Sequence, residues 1–162
     1  MQELACLSLD QCVYIDEAGV ENTLAYEYAW SPKGERCYAE RLGHFTERIS
    51  VVAAWCLGKV FAPMTFIGHC DALVVETWFA RVLIPKLRPG QTVILDNASF
   101  HRKTKLKALL EPRGCHLLAL PPYSPDLNKI EHLCHQLKSR IRHNHDPDLA
   151  FHAKVNVAFC SL

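Results

Sequence analysis

The sequence of 162 residues contains no apolar run near the roughly 18 to 20 residues that cross a bilayer, and it lacks a basic start followed by an apolar segment. We therefore predict neither a membrane span nor a secretory signal, and we expect a cytoplasmic protein. Internal repeats, low-complexity tracts and long linkers are also missing, so residues 1–162 are predicted to form a single domain. Hydrophobic residues make up 49% and charged residues 22%, which is typical of globular proteins and excludes disordered or fibrous ones.

Paired cysteines are a further absence. The chain has eight cysteines but no CxxC pair, and several of them lie within apolar runs. This pattern disfavours a disulfide scaffold and predicts buried thiols in a reducing compartment.

A large net charge is missing too, since the formal value is only +1. The charge is nevertheless uneven, because residues 101–145 carry nine basic against three acidic residues, whereas residues 1–60 carry five against nine. A basic half is compatible with binding to phosphates, but solvated helix faces give the same pattern. Charge alone therefore leaves nucleic-acid binding open.

Hydrophobic patterning predicts strands first and alternating helices and strands afterwards, which indicates a mixed α/β sheet covered by helices. Pro63 confines its strand to an edge or a bulge, and Asp71 is a candidate helix cap. The predicted strands cover residues 12–17, 24–30, 48–57, 60–67, 92–95 and 116–120. One predicted helix begins after Asp71, and three further helices are predicted over about 102–111, 129–143 and 147–160.

Three acidic residues lie at boundaries of these elements. Asp16 is near the end of the first strand, Asp96 directly follows a buried strand, and Glu131 is in the first turn of a helix. Carboxylates on rigid element ends can bind divalent metal ions without a charge in the core. Each also has a structural explanation: a solvated strand end for Asp16, an Asx turn for Asp96, and for Glu131 a capping box begun by Asn128.

The strings around these acids, VYIDEAG, VILDNASFH and LPPYSPDLNKIEHL, resemble in this order the signature blocks of DDE transposases of the mariner superfamily. The bacterial insertion-sequence branch, family six-thirty, is the most similar. The third block matches the family pattern at ten of eleven positions, and thirty-four residues separate Asp96 from Glu131, as they do in the family.

This resemblance implies a ribonuclease-H-like fold, a mixed sheet of about five strands flanked by helices. It also implies that Asp16, Asp96 and Glu131 are the catalytic residues and bind two Mg²⁺ ions, for which Mn²⁺ substitutes. Asn97 and His101 match the second block and are expected to support the site. Glu17 is the nearest rival to Asp16 as a ligand, but alternation along a strand turns only one of the two toward the site, and the resemblance selects Asp16.

The function implied is that of a transposase catalytic domain, which cleaves DNA strands at transposon ends and transfers them to target DNA. The partners would be both DNAs and further copies of the protein assembled on them, in the bacterial cytoplasm at the nucleoid. Transposases of this kind find their ends with an N-terminal helix-turn-helix region, which this chain does not include. We expect the chain without it to be largely monomeric.

Two departures from the family pattern are Lys129 in place of proline and Cys134 in place of tryptophan, and both leave the three acids in place. They leave open a nuclease of the same fold without strand transfer, and a decayed or domesticated remnant that binds DNA or a partner. The cluster His132, Cys134, His135, His143 and His145 suggests zinc only weakly, because most of it shares one helix.

Lys138 and Arg142 are candidate DNA-binding residues. They follow Glu131 by seven and eleven residues, which places them along the same side of the predicted helix. A DNA backbone that crossed the acidic residues would meet this basic side.

Overall fold

A five-stranded mixed sheet forms the centre of the computed structural model, which describes residues 7–21, 30–38, 47–122, 124, 127–144, 146 and 148–160. The strands lie in the order β3-β2-β1-β4-β5. They are β1 (Cys12–Glu21), β2 (Arg48–Cys56), β3 (Lys59–Ile67), β4 (Thr92–Leu95) and β5 (His116–Ala119). These five agree with predicted strands; the strand predicted at 24–30 lies outside the described residues except for Trp30.

The central strand, β1, pairs antiparallel with β2 and parallel with β4. Its register with β4 aligns Tyr14 with Ile94, so that two residues further along Asp16 comes level with Asp96. The strand that contains Pro63, β3, lies at one edge of the described sheet, and its pairing with β2 shifts register between Val52 and Ala54. The edge position predicted from this proline is confirmed.

Among the described residues, four α-helices accompany the sheet, namely α1 (Ala72–Trp78), α2 (Lys103–Leu110), α3 (Glu131–His143) and α4 (Phe151–Cys160). Asp71 caps α1 as predicted, because its carboxylate accepts a hydrogen bond of 2.8 Å from the Val74 N–H. The chain then continues as a π-helical turn and a 3-10 turn as far as Lys86.

The helices cover both faces of the sheet, and strand alternation decides which side chain meets which helix. Val13 and Ile15 of β1 pack with residues of α1 and α2, whereas Cys12 and Tyr14 pack on the opposite face with Ile130, just before α3. Further along that second face, side chains of α3 and α4 cover β1 and β2. Odd-numbered residues of this part of β1 thus face α2, and even-numbered ones face α3.

None of the described helices is long and apolar enough to span a membrane. The seven cysteines that the structure describes form no disulfides, as expected, and Cys12 and Cys115 are buried. Cys37 and Cys160 are exposed instead, because one lies in the irregular segment 30–38 and the other on the outer side of the last turn of α4.

Trp78 links α1 to β3, since its indole is fully buried and donates a hydrogen bond of 2.8 Å to the Ala62 carbonyl. Trp78→Phe should lower the free energy of unfolding in urea by about 2–3 kcal/mol, because it leaves that carbonyl without its donor and opens a small cavity. Trp30→Phe is the matched control, because Trp30 is fully exposed and its substitution should cost less than about 0.5 kcal/mol. Equal losses in both variants would contradict the role given to Trp78.

Candidate active site

Asp16 and Asp96 lie level with each other at the point where β1 and β4 part. Both border one cavity, which is also lined by Glu17, His69 and Phe100. The Asx turn considered for Asp96 is present, because its Oδ1 accepts a hydrogen bond of 3.1 Å from the Ala98 N–H. The turn orients this carboxylate and leaves its side chain 51% exposed.

Glu131 is the first residue of α3, and it lines a second cavity of about 370 Å³ together with Asp96, Asn97 and Asn128. Asp96 therefore borders two cavities, one shared with Asp16 and the other with Glu131. In this way the structure brings the three acids to one end of the sheet.

The capping box begun by Asn128 is not formed. The residue before α3 is Ile130, which makes no side-chain cap, and the Glu131 N–H instead donates to the Asn128 backbone carbonyl at 3.1 Å. The buried Asn128 side chain points to β1, where its Nδ2 donates to the Ile15 carbonyl at 3.4 Å. Its role is thus to join the start of the Glu131 helix to the strand that carries Asp16.

The tightest cluster of potential metal ligands is a different one. Within the described parts of the chain, the group whose ligand atoms all lie within 4.8 Å of one another consists of Glu17, Asp96 and His101. Asp16 and Glu131 are outside this group, and each of them lines a cavity that Asp96 also borders.

His101 is the centre of that cluster. Its side chain is 1% exposed, its Nε2 lies 3.1 Å from Glu17 Oε1, and its Nδ1 lies 3.2 Å from Asp96 Oδ1. Burial alone would lower the pKa of the ring, but the contacts with Asp96 and Glu17 outweigh it and raise the pKa to about 9. The ring is therefore a cation at neutral pH.

The expectation that only one of Asp16 and Glu17 reaches the site is wrong, because both line the cavity that Asp96 borders. Their side chains do alternate, with Asp16 toward α3 and Glu17 toward His101 near the start of α2. The site lies at the end of the β1–β4 pairing, where a long side chain from either face reaches the rim. The sequence could have indicated Glu17 through His101. This histidine comes shortly before α2, so it could be expected near the face of the sheet toward which Glu17 points.

Asp16 is partly buried, and burial raises the pKa of its carboxyl to about 7, an effect to which the charges of Glu17 and Asp96 add. Two hydrogen bonds oppose it: the Cys134 thiol donates to Oδ2 at 3.3 Å, and the Glu17 N–H donates to Oδ1 at 2.9 Å. Cys134 thus contacts a candidate ligand, a contact that the sequence did not reveal. Burial and the Asp16 charge also raise the pKa of this thiol above its usual range.

Asp96 differs from Asp16 because positive charge surrounds it. Contact with His101 lowers the pKa of its carboxyl, and the Ala98 N–H and the charge of Lys103 add to this effect against partial burial. Asn97, the other expected supporting residue, is exposed in the cavity beside Glu131, and its Oδ1 contacts the Lys103 ammonium.

Lys138 and Arg142, the candidate DNA-binding residues, are both partly buried on α3, and Nε of Arg142 is shielded from solvent. The Lys138 charge acts on the Cys134 thiol, which places Lys138 near the site. The suggested zinc cluster does not gather among the described residues, where His132, His135 and His143 are exposed; His145 lies outside them.

The strand order, with helices on both faces of the sheet, defines a ribonuclease-H-like fold. A family model described as DDE superfamily endonuclease matches residues 11–149, so the chain belongs to this family. Comparison with curated protein sequences gave no match.

Solved structures share this fold. The Mos1 mariner paired-end complex with Mn is similar with a TM-score of 0.73 at 17% identity, over 99% of this chain and 51% of that one. The Mos1 strand transfer complex gives 0.64 at 19% identity, over 90% and 45% of the two chains. The catalytic core domain of BIV integrase gives 0.56 at 17% identity, over 94% and 83%. The chain therefore spans about half the length of the Mos1 chains.

The raised pKa of Asp16 predicts how the metal-free protein responds to pH. A carboxyl whose folded-state pKa is raised from 3.8 to about 7 favours folding when protonated, and this contribution is lost as the pH rises through 7. Asp16→Asn removes this pH dependence. Between pH 5 and pH 8 in EDTA, the free energy of unfolding of the variant should therefore rise relative to that of wild type by on the order of 2–3 kcal/mol. Urea unfolding at the two pH values measures this gain.

Asp10→Asn is the control for this measurement, because a hydrogen bond from Ser8 holds the pKa of the exposed Asp10 carboxyl below its ordinary value. Its substitution should bring no gain at pH 8. A stability difference between wild type and Asp16→Asn that does not change with pH would contradict the burial of the Asp16 charge.

Proposed function

We propose that the chain is the catalytic domain of a transposase, with Asp16, Asp96 and Glu131 as catalytic residues and ligands of two Mg²⁺ ions. The observation that carries this proposal is the shared position of Asp96, which borders the cavity of Asp16 on one side and that of Glu131 on the other. Membership in the DDE superfamily endonuclease family supports it. The similarity of the sequence blocks suggests the insertion-sequence family six-thirty as the branch.

The donor atoms fit such a cation. All three residues offer carboxylate oxygens, the ligands that Mg²⁺ prefers, and Mn²⁺ accepts them as well. The high pKa of Asp16 reflects burial and nearby negative charge, which a bound cation would offset. Mg²⁺ would supply the alignment of attacking and leaving oxygens and the neutralisation of developing charge at phosphorus.

Side chains of this protein would hold the cations and the reacting groups of the DNA in place. Asp16 lies on β1 and Asp96 directly follows β4, and Glu131 approaches from a helix that Asn128 joins to β1. Such a site suits two in-line displacements in succession, first by water at a transposon end and then by the freed 3′-hydroxyl on target DNA. The Mos1 structures are complexes with transposon ends or of strand transfer, which favours DNA as the partner and assembly of several copies on it.

A helix-turn-helix region that recognises transposon ends, supplied by another segment or another protein, completes this proposal. The chain itself would act in the bacterial cytoplasm. A nuclease of the same fold without strand transfer is the second candidate, since the family description names an endonuclease and leaves the second step open.

The acidic triad is tested by nicking of supercoiled plasmid with Mg²⁺ or Mn²⁺. Asp16→Asn, Asp96→Asn and Glu131→Gln should each lower the nicking rate about 100-fold or more, because a lost ligand removes several kcal/mol of charge stabilisation at phosphorus. Glu111→Gln is the matched control, because Glu111 is an exposed carboxylate at the far end of α2. Full activity in any triad variant would rule out the assignment of that residue, and joining of a 3′-end to a second DNA separates transposase from nuclease.

The basic side of α3 is tested by the salt dependence of DNA binding. If Lys138 and Arg142 each contact one phosphate, replacement of both with Ala should weaken binding to any sequence and lower the slope of log K against log salt by about 2, at roughly 0.9 per contact. Lys59 and Lys86 provide a control pair of exposed lysines on other elements, and their replacement should leave the slope unchanged. An unchanged slope in the Lys138 and Arg142 variant would exclude this surface as the DNA path.

A further inference from the structure

His101 occupies a position that ligand binding alone does not explain. Its buried ring lies between two carboxylates from adjacent strands, with Glu17 Oε1 at 3.1 Å from one nitrogen and Asp96 Oδ1 at 3.2 Å from the other. Glu17 is itself only 12% exposed, so both the ring and the acid behind it are held by packing. Phe100 packs edge-on against the ring, with 4.4 Å between ring centroids.

The Asp96 carboxylate, by contrast, has little packing of its own. It follows the last residue of β4, and its side chain is 51% exposed. The contacts that orient it converge on Oδ1, which accepts the Ala98 N–H at 3.1 Å and lies against His101. Contacts at one oxygen fix the plane of the carboxylate and make Oδ2 the oxygen that can meet a cation.

We propose that His101 is a positioning residue, which is held by Glu17 and orients Asp96 for metal binding. This inference rests on the proposed function, since it takes Asp96 to be a ligand. Partners behind a metal ligand commonly fix its orientation, and their loss typically costs about 10- to 100-fold in metal affinity. In this arrangement Glu17 acts on the site through His101, and the acid next to Asp16 acquires a role distinct from that of Asp16.

The alternative is that Glu17, Asp96 and His101 bind a metal themselves, since their ligand atoms lie within 4.8 Å of one another. Nε2 shares a hydrogen bond of 3.1 Å with Glu17 Oε1, whereas Nδ1 lies 3.2 Å from Asp96 Oδ1 in an ion pair without the alignment of a hydrogen bond. A cation bound to Nε2 would have to break the hydrogen bond to Glu17, and a cation bound to Nδ1 would have to replace the ion pair with Asp96. The geometry therefore favours a ring that bridges the two acids.

Two amide substitutions separate the two contacts. The amide nitrogen of Asn lies where Nδ1 of His does, so His101→Asn keeps a donor for Asp96. The amide nitrogen of Gln lies where Nε2 of His does, so His101→Gln keeps a donor for Glu17 only. We expect His101→Asn to bind Mn²⁺ within about 3-fold of wild type and His101→Gln to bind about 10-fold more weakly. Calorimetry or electron paramagnetic resonance of Mn²⁺ measures both affinities without DNA.

Plasmid nicking supplies a second readout. His101→Gln should need about 10-fold more Mn²⁺ for half-maximal nicking and should approach the wild-type rate when Mn²⁺ saturates the site. A purely structural defect would lower the saturating rate without moving the Mn²⁺ midpoint. His116→Gln is the matched control, because His116 is exposed at the start of β5.

The outcomes distinguish this inference from the function on which it rests. If wild type binds no Mn²⁺, the proposed function fails; if wild type binds Mn²⁺ and the Asn and Gln variants weaken it equally, only the positioning role fails. Urea unfolding checks that the variants fold. Should the Gln variant not fold, His101→Ala takes its place, since it removes both contacts. It should then bind Mn²⁺ about 10-fold more weakly than wild type, as expected for His101→Gln. Binding of Mn²⁺ by His101→Ala as tight as that of His101→Asn would overturn the proposal.

Discussion

The parallel pairing of β1 with β4 is the constraint on which the site depends. Three aligned residue pairs fix the register, and continuation of that register brings Asp16 level with Asp96. A shift of one residue would turn either side chain to the opposite face. The apolar residues of both strands hold the register, because Val13, Ile15, Val93 and Leu95 enter one core cluster and Tyr14 and Ile94 enter another.

The register also crowds negative charge, since it gathers Asp16, Glu17 and Asp96 around one cavity. Neighbouring groups offset this negative charge unevenly. His101 and Lys103 lie close to Asp96 and lower the pKa of its carboxyl, whereas Asp16 faces a thiol and the pKa of its carboxyl rises to about 7. The pKa values of the two carboxyls are therefore shifted in opposite directions in the absence of a cation, and Asp16 is the carboxyl whose shift a bound cation would oppose.

Sequence reasoning predicted the sheet, the edge strand and the ends of elements that carry the acids, because these follow from apolar periodicity, proline and strand boundaries. It did not predict the contact of Glu17 with the site. Alternation along a strand gives the face on which a side chain lies, but not how far that side chain extends beyond the end of the β1–β4 pairing. Sequence reasoning offered a capping box begun by Asn128 only as the structural alternative for Glu131, whereas the Asn128 side chain bonds to Ile15, more than a hundred residues away in sequence. Contacts of this kind depend on packing between elements, which a single sequence does not display.

The two departures from the family pattern show how the Glu131 helix is held in this chain. Lys129, in place of proline, sets its ammonium 5.8 Å from the centre of the Tyr14 ring, a cation–π contact to β1. Cys134, in place of tryptophan, contacts Asp16 directly. With the bond from Asn128 to Ile15, these contacts join the start of α3 to β1 at successive residues, 14, 15 and 16. Polar contacts to the central strand thus hold this helix where a rigid proline and a large aromatic anchor are missing, and they act on the same strand that carries Asp16.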